Sequence, residues 1–360
     1  MEIGIVGLQY SGKSTIFSTL LRHKSLDSGG GKESAERGIV KVPDERLDTL
    51  TALVNPKKQT NATLEFIKVP GLDQDKNQGQ GLPSQFLNNL KNVEALLLVI
   101  RNFENEYYPH PLGRINPAAD IEFINSEFLL TDLMLVEARV ERLQKMIPKT
   151  QNEQDKRLLD LMLRLKEQLD QEKPLRDMDL SEDELFMLKS YQFLTIKPIL
   201  LVINISEEMI PETDKITGEL SRFITKNCAL TTLSAEIEKE IADLDEEDAT
   251  VFMEDLGIKE PAMHKLIRKS YELLGLISFF TVGEKECRAW TIRNGYTAPK
   301  AAGAIHSDLE KGFIRAETVH YNDLIANESL AKCKEKGLLR LEGKDYVVKD
   351  GDVLTIRFNV

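Results

Sequence analysis

The chain has 360 residues, of which 41% are hydrophobic and 29% are charged, a balance typical of a folded protein with two or three domains. Its net charge of −12 excludes non-specific adhesion of the whole surface to nucleic acid or membranes, although one basic face could still bind RNA. The sequence has no apolar run of membrane-spanning length, and its three cysteines are scattered without metal-ligand spacing. We therefore expect a cytoplasmic protein without a disulfide framework or a zinc site.

The first part of the chain alternates apolar runs of strand length with stretches of helical pattern. The strand-like runs are IGIVG, GIVKV, ATLEFIKV and ALLLVI, and helix-like stretches such as KSTIFSTLLRH and PSQFLNNLKN separate them. This alternation predicts βαβ units around a largely parallel sheet, which is an α/β fold.

Residues 126–170 change to a heptad pattern. Two apolar stripes separated by PKTQNEQ predict two helices in an antiparallel hairpin. We interpret the stripes as the seam between these helices, with a binding groove as the alternative. The stripes consist of Leu129, Leu133, Val136, Val140, Leu143 and Ile147, then Leu158, Met162, Leu165 and Leu169. A capping box, SEDE at 181–184, opens a further helix.

The α/β pattern then resumes with PILLVINIS and ALTTLSAE, so the hairpin is an insertion. After Gly275, the strand-like runs ISFFTV, CRAWTI, FIRAETVHY, DYVV and VLTIRFNV, with two short helices among them, predict a separate α+β domain. We thus predict one α/β domain in two parts (1–125 and 196–276), a helical insertion (126–195) and a last domain (277–360).

Residues 7–14, GLQYSGKS, match the phosphate-loop pattern G-x-x-x-x-G-K-[ST] between a predicted strand and a predicted helix. Glycines let backbone amides wrap a phosphate chain, and the helix N-terminus attracts negative charge. In such a loop the lysine, Lys13, reaches the outer phosphates, and the Ser14 hydroxyl can bind Mg²⁺. The candidate phosphate-binding residues are Gly7, Gln9, Tyr10, Ser11, Gly12, Lys13, Ser14 and Thr15.

Two later segments are candidates for reading the nucleotide base. Asn204-Ile205-Ser206-Glu207 follows the strand PILLVI, where P-loop GTPases place N-K-x-D, and Ser234-Ala235 follows the next strand, where they place a Ser-Ala loop. Each fragment alone is usually a turn, but in this order after a phosphate loop they reinforce one another.

Over essentially its full length the chain resembles the Obg-like ATPase (YchF) family. The resemblance rests on the phosphate loop, QGLPSQFLNNLKNVEAL, VIRNFEN, INPAADIEFIN, the helical insertion, KPILLVINISE and the last segment from TVGEKECRAW onward. It implies a P-loop NTPase domain with an inserted coiled-coil hairpin and a C-terminal β-grasp (TGS) domain. It also implies hydrolysis of ATP (or GTP) and association with ribosomes or translation factors. Asn204 and Glu207 fit the family's N-x-x-E, which is associated with preference for ATP.

The departures from the family pattern concern the metal. Where the family has Asp-x-x-Gly, this chain has KVPG, so Lys68 replaces the carboxylate that holds the Mg²⁺ water shell, while Gly71 is kept. We hypothesise that Lys68 partly substitutes for a weakened Mg²⁺ as counter-charge; the alternative is that it extends into solvent. The family's first-switch threonine falls near Lys32, with Ser34 as a substitute. Gln9-Tyr10-Ser11 replaces Pro-Asn-Val, so the asparagine linked to potassium dependence is absent.

The resemblance implies one further functional residue, and the sequence itself suggests others. His110 corresponds to a histidine that the family uses in hydrolysis, although a single loop histidine is usually a bystander. Gly79 and Gly81 resemble switch hinges. The last domain carries a candidate RNA or partner face beside Trp290, a residue that is itself more typical of a core. The face consists of Arg288, Arg293, His306, Lys311 and Arg315.

We predict a monomeric, slow ATPase that uses Lys13 and His110 and associates with the ribosome. The alternative is a nucleotide-stabilised binding module with little hydrolysis, which Lys68 favours. A third reading, an RNA-binding adaptor with a vestigial phosphate loop, conflicts with the retention of GLQYSGKS.

Overall fold

The computed structural model describes residues 1–22, 35–72 and 82–359. The chain forms two compact units, Met1–Gly38 with Glu65–Met263 and Ile39–Leu64 with His264–Val360. In these described ranges, no helix is long and apolar enough to cross a membrane. The strands are β1 (Glu2–Val6), β2 (Glu36–Lys41), β3 (Gln59–Thr60), β4 (Thr63–Lys68), β5 (Ala95–Asn102), β6 (Ile199–Ile205), β7 (Cys228–Leu233), β8 (Leu276–Val282), β9 (Cys287–Arg293), β10 (Phe313–His320), β11 (Arg340–Glu342) and β12 (Asp352–Phe358).

The described α-helices are α1 (Lys13–Arg22), α2 (Glu45–Val54), α3 (Ser84–Leu90), α4 (Pro117–Thr150), α5 (Glu153–Asp170), α6 (Glu182–Leu188), α7 (Thr213–Glu219), α8 (Ala235–Asp243), α9 (Glu246–Asp255), α10 (Ala262–Leu273), α11 (Ala298–Ile305), α12 (Ser307–Lys311), α13 (Tyr321–Asn327) and α14 (Leu330–Glu335). Short 3₁₀ turns lie at Leu175–Asp177, Glu207–Glu212 and Ser221–Phe223.

The first unit is built on a six-stranded sheet with the order β2-β4-β1-β5-β6-β7. The pairings of β1 with β4 and β5, of β5 with β6, and of β6 with β7 are all parallel. Every residue of β6 is buried, as is typical of a central parallel strand covered on both faces. The predicted α/β fold is confirmed, and the carboxyl ends of β1, β5, β6 and β7 meet at one edge.

The helical insertion is an antiparallel pair, and its seam is the predicted one. Val136, Val140 and Leu143 of α4 pack with Met162 and Leu165 of α5 in one buried cluster. The predicted capping box also forms, because Ser181 and Glu184 each accept a hydrogen bond from the other's backbone amide. These helices follow the sequence pattern closely because an apolar stripe at helical spacing must be buried.

Helix α4 begins earlier than the heptad pattern indicates. Pro117 occupies its first turn, and the side chain of Asn116 caps it by accepting from the Ala119 amide, so the helix starts nine residues before 126. Its first turns carry Ile121 and Phe128 into the core of the first unit. One continuous helix of 34 residues therefore runs from this core into the hairpin.

The second unit contains a mixed sheet with the order β11-β10-β12-β8-β9-β3. The alanine-rich helix α11 packs on one face, while α2 packs against β8 and β9. Residues 39–64 therefore supply a helix and an edge strand to a sheet whose other strands come from 276–358. The expectation for DYVV was wrong: residues 345–348 form one isolated bridge, Thr297 to Val347, and no strand. Four short helices, rather than two, lie among the strands.

Candidate functional site

The phosphate loop joins the end of β1 to the start of α1, and its glycines are required by close contacts. Gly12 has a φ of +96°, and a Cβ placed there would lie 2.1 Å from Nδ2 of Asn204. Gly7 has a φ of +151°, and its Cβ would lie 2.4 Å from the Val99 carbonyl oxygen. Tyr10 adopts a left-handed φ of 59°. The backbone is therefore curled at the N-terminus of α1, the arrangement that binds phosphate through amides.

Asn204 links the phosphate loop to the candidate base-reading loop. Its buried side chain donates from Nδ2 to the Ser11 carbonyl oxygen (3.0 Å) and accepts at Oδ1 from the Ala235 amide (2.9 Å). Ser234 precedes α8, and in the described structure its buried hydroxyl has no hydrogen-bond partner. Glu207 lies exposed at the start of the 3₁₀ turn after β6. The structure thus brings Asn204, Ser234 and Ala235 together beside the phosphate loop.

Lys13 is folded back onto its own loop. Its Nζ donates to the carbonyl oxygens of Gly7 (3.1 Å) and Leu8 (2.6 Å). Burial, and secondly the positive charge of Lys68, lower the pKa of Lys13 to about 7. The half-buried Thr15 follows in the first turn of α1, next to the exposed Ser14. An incoming phosphate chain would offer Lys13 stronger, charge-assisted hydrogen bonds than these carbonyls do.

Lys68 turns toward the phosphate loop. It ends β4, where its backbone lies beside Ile5 of β1. Its Nζ is 3.4 Å from Ser14 Oγ and 2.6 Å from Glu36 Oε1, and its side chain is only 18% exposed. Extension into solvent is therefore not observed. The chain then passes Gln9 so closely that a Cβ on Gly71 would lie 3.0 to 3.1 Å from Gln9 atoms.

The surroundings of Ser14 fit a divalent metal poorly. An ammonium group, rather than a carboxylate, contacts the hydroxyl that would bind Mg²⁺, and the nearby carboxylate of Glu36 is engaged by that same ammonium. Among the described residues, no group of three or more His, Cys, Asp or Glu side chains could hold a metal ion. Charge repulsion between Lys68 and a divalent cation would weaken metal binding here.

His110 lies in the loop between β5 and α4, with both ring nitrogens engaged. Nδ1 accepts from the Leu112 amide (3.2 Å), and Nε2 is 2.8 Å from Oδ2 of the buried Asp120. This pairing places the proton on Nε2 of a neutral imidazole, which donates to the carboxylate. Burial raises the pKa of Asp120, against the opposing effect of His110. In this arrangement His110 anchors its own loop, and it would have to leave Asp120 to contact a water at the phosphates.

The His110 loop is held by hydrogen bonds from Arg101 and by one ring contact with the phosphate loop. Arg101 donates from Nη1 to the Tyr108 carbonyl oxygen (2.8 Å) and from Nε to the Phe103 carbonyl oxygen (2.9 Å). The ring of Tyr108 packs on that of Tyr10, with centroids 5.2 Å apart. These contacts hold the loop carrying His110 next to the phosphates' expected position.

The candidate RNA face is divided by the second sheet. Arg288 lies over the Trp290 ring, 3.8 Å from its centre, on the sheet face that packs against α11. Ile292 and Ala316 also belong to that face. Because successive residues of a strand point to opposite faces, their neighbours Arg293 and Arg315 lie on the other face. His306 caps α12, accepting from the Asp308 amide, and Lys311 lies exposed at the end of α12. The five residues therefore do not share one sheet face. Trp290 is half-buried against Phe279.

The sequence interpretation missed Glu36 and Asp120, which pair with Lys68 and His110, and Arg101, which bonds to the loop that carries His110. An available signal was charge: a lysine ending a strand beside a phosphate loop requires an anion, and Glu36 begins β2. The switch residues Lys32, Ser34, Gly79 and Gly81 lie outside the described residues.

The order of these elements is that of P-loop GTPases, and residues 2–125 match the family model described as a 50S ribosome-binding GTPase. Residues 276–359 match the model of the C-terminal domain of YchF GTPases, which is described as a protein of unknown function. The chain belongs to the YchF family. It is 42% identical to the ribosome-binding ATPase YchF of Bacillus subtilis over 372 residues, covering 100% of both chains. It is 40% identical to that of Escherichia coli O157:H7, covering 100% of this chain and 99% of the relative.

Solved structures agree with this assignment. The YchF GTPase of Schizosaccharomyces pombe is 30% identical and superimposes with a TM-score of 0.86 over 99% of this chain and 97% of that chain. A GTP-binding protein from Pyrococcus horikoshii OT3, 18% identical with a TM-score of 0.62, shares the fold over 100% of both chains. The family resemblance and the P-loop fold expected from the sequence are confirmed.

Proposed function

We propose that the chain binds ATP at residues 7–14, hydrolyses it slowly and associates with the ribosome. The observation that carries this proposal is the intact phosphate loop, with Asn204 bonded to both Ser11 and Ala235. Relatives that match the whole chain are named ribosome-binding ATPases, and a structural relative is named a GTPase. A ribosomal partner would place the protein in the cytoplasm, and we expect a monomer.

In the proposed reaction, water attacks the γ-phosphate and the bond to the β-phosphate breaks. Lys13 leaves the Gly7 and Leu8 carbonyls and, with the amides of Gln9 to Gly12, stabilises the negative charge on the phosphates. His110 would orient the attacking water after exchanging its bond with Asp120. Ser14 would be the protein ligand of Mg²⁺, which supplies charge neutralisation when bound and which Lys68 weakens.

Recognition of the base would fall to Asn204, Glu207, Ser234 and Ala235. Glu207 occupies the place at which GTPases carry the aspartate that reads guanine, and its longer side chain lies exposed. We therefore propose ATP as the preferred nucleotide, with GTP as the weaker substrate. We further propose that residues 277–360 form a TGS domain that contacts ribosomal RNA or a translation factor through part of the divided basic surface.

One observation favours a second candidate, a nucleotide-stabilised binding module with little turnover. The Lys68 ammonium lies 3.4 Å from Ser14 Oγ, where hydrolysis would require a metal. The names of the relatives favour hydrolysis instead.

The test measures phosphate release from ATP and from GTP, with and without added ribosomes, together with cosedimentation on ribosomes. Lys13→Met is the matched control, because it removes the phosphate-binding ammonium of a buried side chain and leaves the exposed surface unchanged. We expect ATP turnover in the unmodified protein, loss of turnover in Lys13→Met, and cosedimentation of both. Cosedimentation without any phosphate release would favour the binding module, and absence of both would reject the proposal.

A further inference from the structure

Glu36 and Lys68 form an ion pair at the phosphate end of the site. Glu36 begins β2 and Lys68 ends β4, and their Oε1 and Nζ atoms are 2.6 Å apart. The side chains are 36% and 18% exposed, so the pair is partly shielded from water. Lys68 also lies 3.4 Å from Ser14 Oγ and 5.6 Å from the centre of the Phe17 ring. These contacts hold its ammonium over the first turn of α1.

The charged groups beside the first turn of α1 are suited to exchanging partners. Lys68 is paired with Glu36, and within the described part of the chain the Lys13 ammonium donates to carbonyl oxygens of its own loop. A metal-free triphosphate brings several negative charges to the same place. Its oxygens would attract Lys68 and repel Glu36, because like charges at short distance in a partly desolvated site oppose binding.

We propose that Glu36 is a built-in competitor of nucleotide: it holds the Lys68 ammonium in the empty site and must release it when a metal-free triphosphate binds. The inference rests on the proposed function, which is ATP binding at residues 7–14. Glu36 is then an affinity-setting residue, which lowers the affinity for nucleotide without metal and thereby offsets part of the positive charge that Lys68 brings to the site.

The proposal predicts a direction of change in ATP affinity that an ordinary stabilising ion pair would not show. Removing the charge of Glu36 should tighten ATP binding, because Lys68 no longer has to break a bond before it meets phosphate. The gain should require Lys68, since Glu36 acts by occupying that side chain. A double-mutant cycle separates this competition from a general change in surface charge.

The experiment is calorimetric titration of ATP, in EDTA and separately in Mg²⁺, into four variants and the unmodified protein, with the affinities compared in EDTA. The variants are Glu36→Gln, Lys68→Met, the double variant, and Glu65→Gln as the matched control. Glu65 lies on the same strand as Lys68 but pairs with Arg37 at 3.2 Å, so its substitution removes one carboxylate from the same pair of strands without freeing Lys68. Thermal melting of each variant verifies folding.

We expect Glu36→Gln to bind ATP about fivefold more tightly and Lys68→Met to bind about tenfold more weakly. The double variant should match Lys68→Met, and Glu65→Gln should match the unmodified protein. If Glu36→Gln binds no more tightly, or tightens binding equally in the Lys68→Met background, the competition is overturned while ATP binding stands. If no protein binds ATP in either EDTA or Mg²⁺, the proposed function and this inference fail together.

Discussion

The two ends of the candidate site are built from different interactions. Around Gly12 and Asn204 the contacts are hydrogen bonds between neutral groups, and the Asn204 side chain lies only 2.1 Å from where a Cβ on Gly12 would be. At the other end, Glu36 and Lys68 meet as charges on partly exposed side chains. Neutral, close-packed contacts specify one geometry, whereas an ion pair can exchange its partner for a stronger one. We therefore expect the first end to fix where phosphate lies and the second to set which cation accompanies it.

The largest effect on ATP affinity is expected from substituting Gly12, at the close-packed end of the site. In Gly12→Ala the new Cβ would lie 2.1 Å from Asn204 Nδ2 on a backbone with φ of +96°. We expect ATP affinity to fall by at least about 100-fold, because both the loop and its asparagine must move. Gly257→Ala is the control: its φ is +67°, but nothing lies within 4 Å. Titration should show unchanged ATP affinity for that variant, and equal losses in both would contradict the close-packing argument.

A second large effect concerns His110, and it tests whether this residue takes part in hydrolysis or only anchors its loop. If His110 orients the attacking water, His110→Ala should lower phosphate release by about 100-fold, with little change in the dissociation constant for ATP. Asp120→Asn removes the anchoring carboxylate but keeps the histidine, so it should reduce phosphate release much less. Paired turnover and binding assays measure both quantities. Equal losses of turnover in the two variants would show that His110 serves only to anchor the loop.

The neutral end can be weakened more gently at Asn204. Asn204→Ala leaves the Ser11 carbonyl and the Ala235 amide without their partner. Each unpaired buried group costs about 1–3 kcal/mol, so we expect the free energy of unfolding to fall by about 2–3 kcal/mol. Thr231→Val is a suitable control on the neighbouring strand, because the buried Thr231 hydroxyl has no hydrogen-bond partner in the described structure. Chemical denaturation should show a stability change near zero for the control.

A further effect is expected on the pH dependence of stability. It concerns Asp132, a buried carboxylate whose hydrogen-bond donors are neutral, and so extends the comparison to a third kind of contact. Asp132 of α4 accepts hydrogen bonds from the amides of Leu194 and Thr195 and from the Thr195 hydroxyl. Burial nevertheless raises the pKa of Asp132 to about 6, above its ordinary 3.8. The folded state therefore binds this proton more tightly than the unfolded state does. Its stabilising contribution is fully present below pH 4 and is lost as the pH rises through 6.

We expect this loss to amount to about 2–3 kcal/mol of unfolding free energy between pH 4 and pH 7. Asp132→Asn cannot titrate, so its unfolding free energy should lack this decline. Denaturation at several pH values, with both proteins in the same buffers, measures the difference. Parallel pH profiles would indicate that the amides, rather than burial, dominate the pKa of Asp132.

The sequence was most informative where a short pattern determines local geometry. The phosphate loop, the capping box at Ser181 and the apolar stripe on each of α4 and α5 all depend on neighbouring residues within one or two turns of each other. The interpretation failed for DYVV because strand propensity does not reveal whether a partner strand is available.

Long-range pairings could not be predicted from the sequence, for a related reason. Arg46 of α2 pairs with Asp350 at 2.6 Å, and Thr60 bonds Glu286 at 2.6 Å, across more than two hundred residues. Nothing local in residues 39–64 indicates that they complete a sheet formed by the C-terminal strands. Glu36 could not be predicted for the same reason, because its role depends on Lys68, which the fold places beside it.

The most direct test of the account is titration of ATP into the unmodified protein in Mg²⁺ and again in EDTA, with phosphate release measured in the same samples. We predict that binding survives EDTA with a loss of at most about tenfold, because Lys68 supplies positive charge beside Ser14, while phosphate release occurs slowly and only in Mg²⁺. A fall in affinity of more than about 100-fold in EDTA would show that the metal carries the charge balance and that Lys68 does not, contradicting the account.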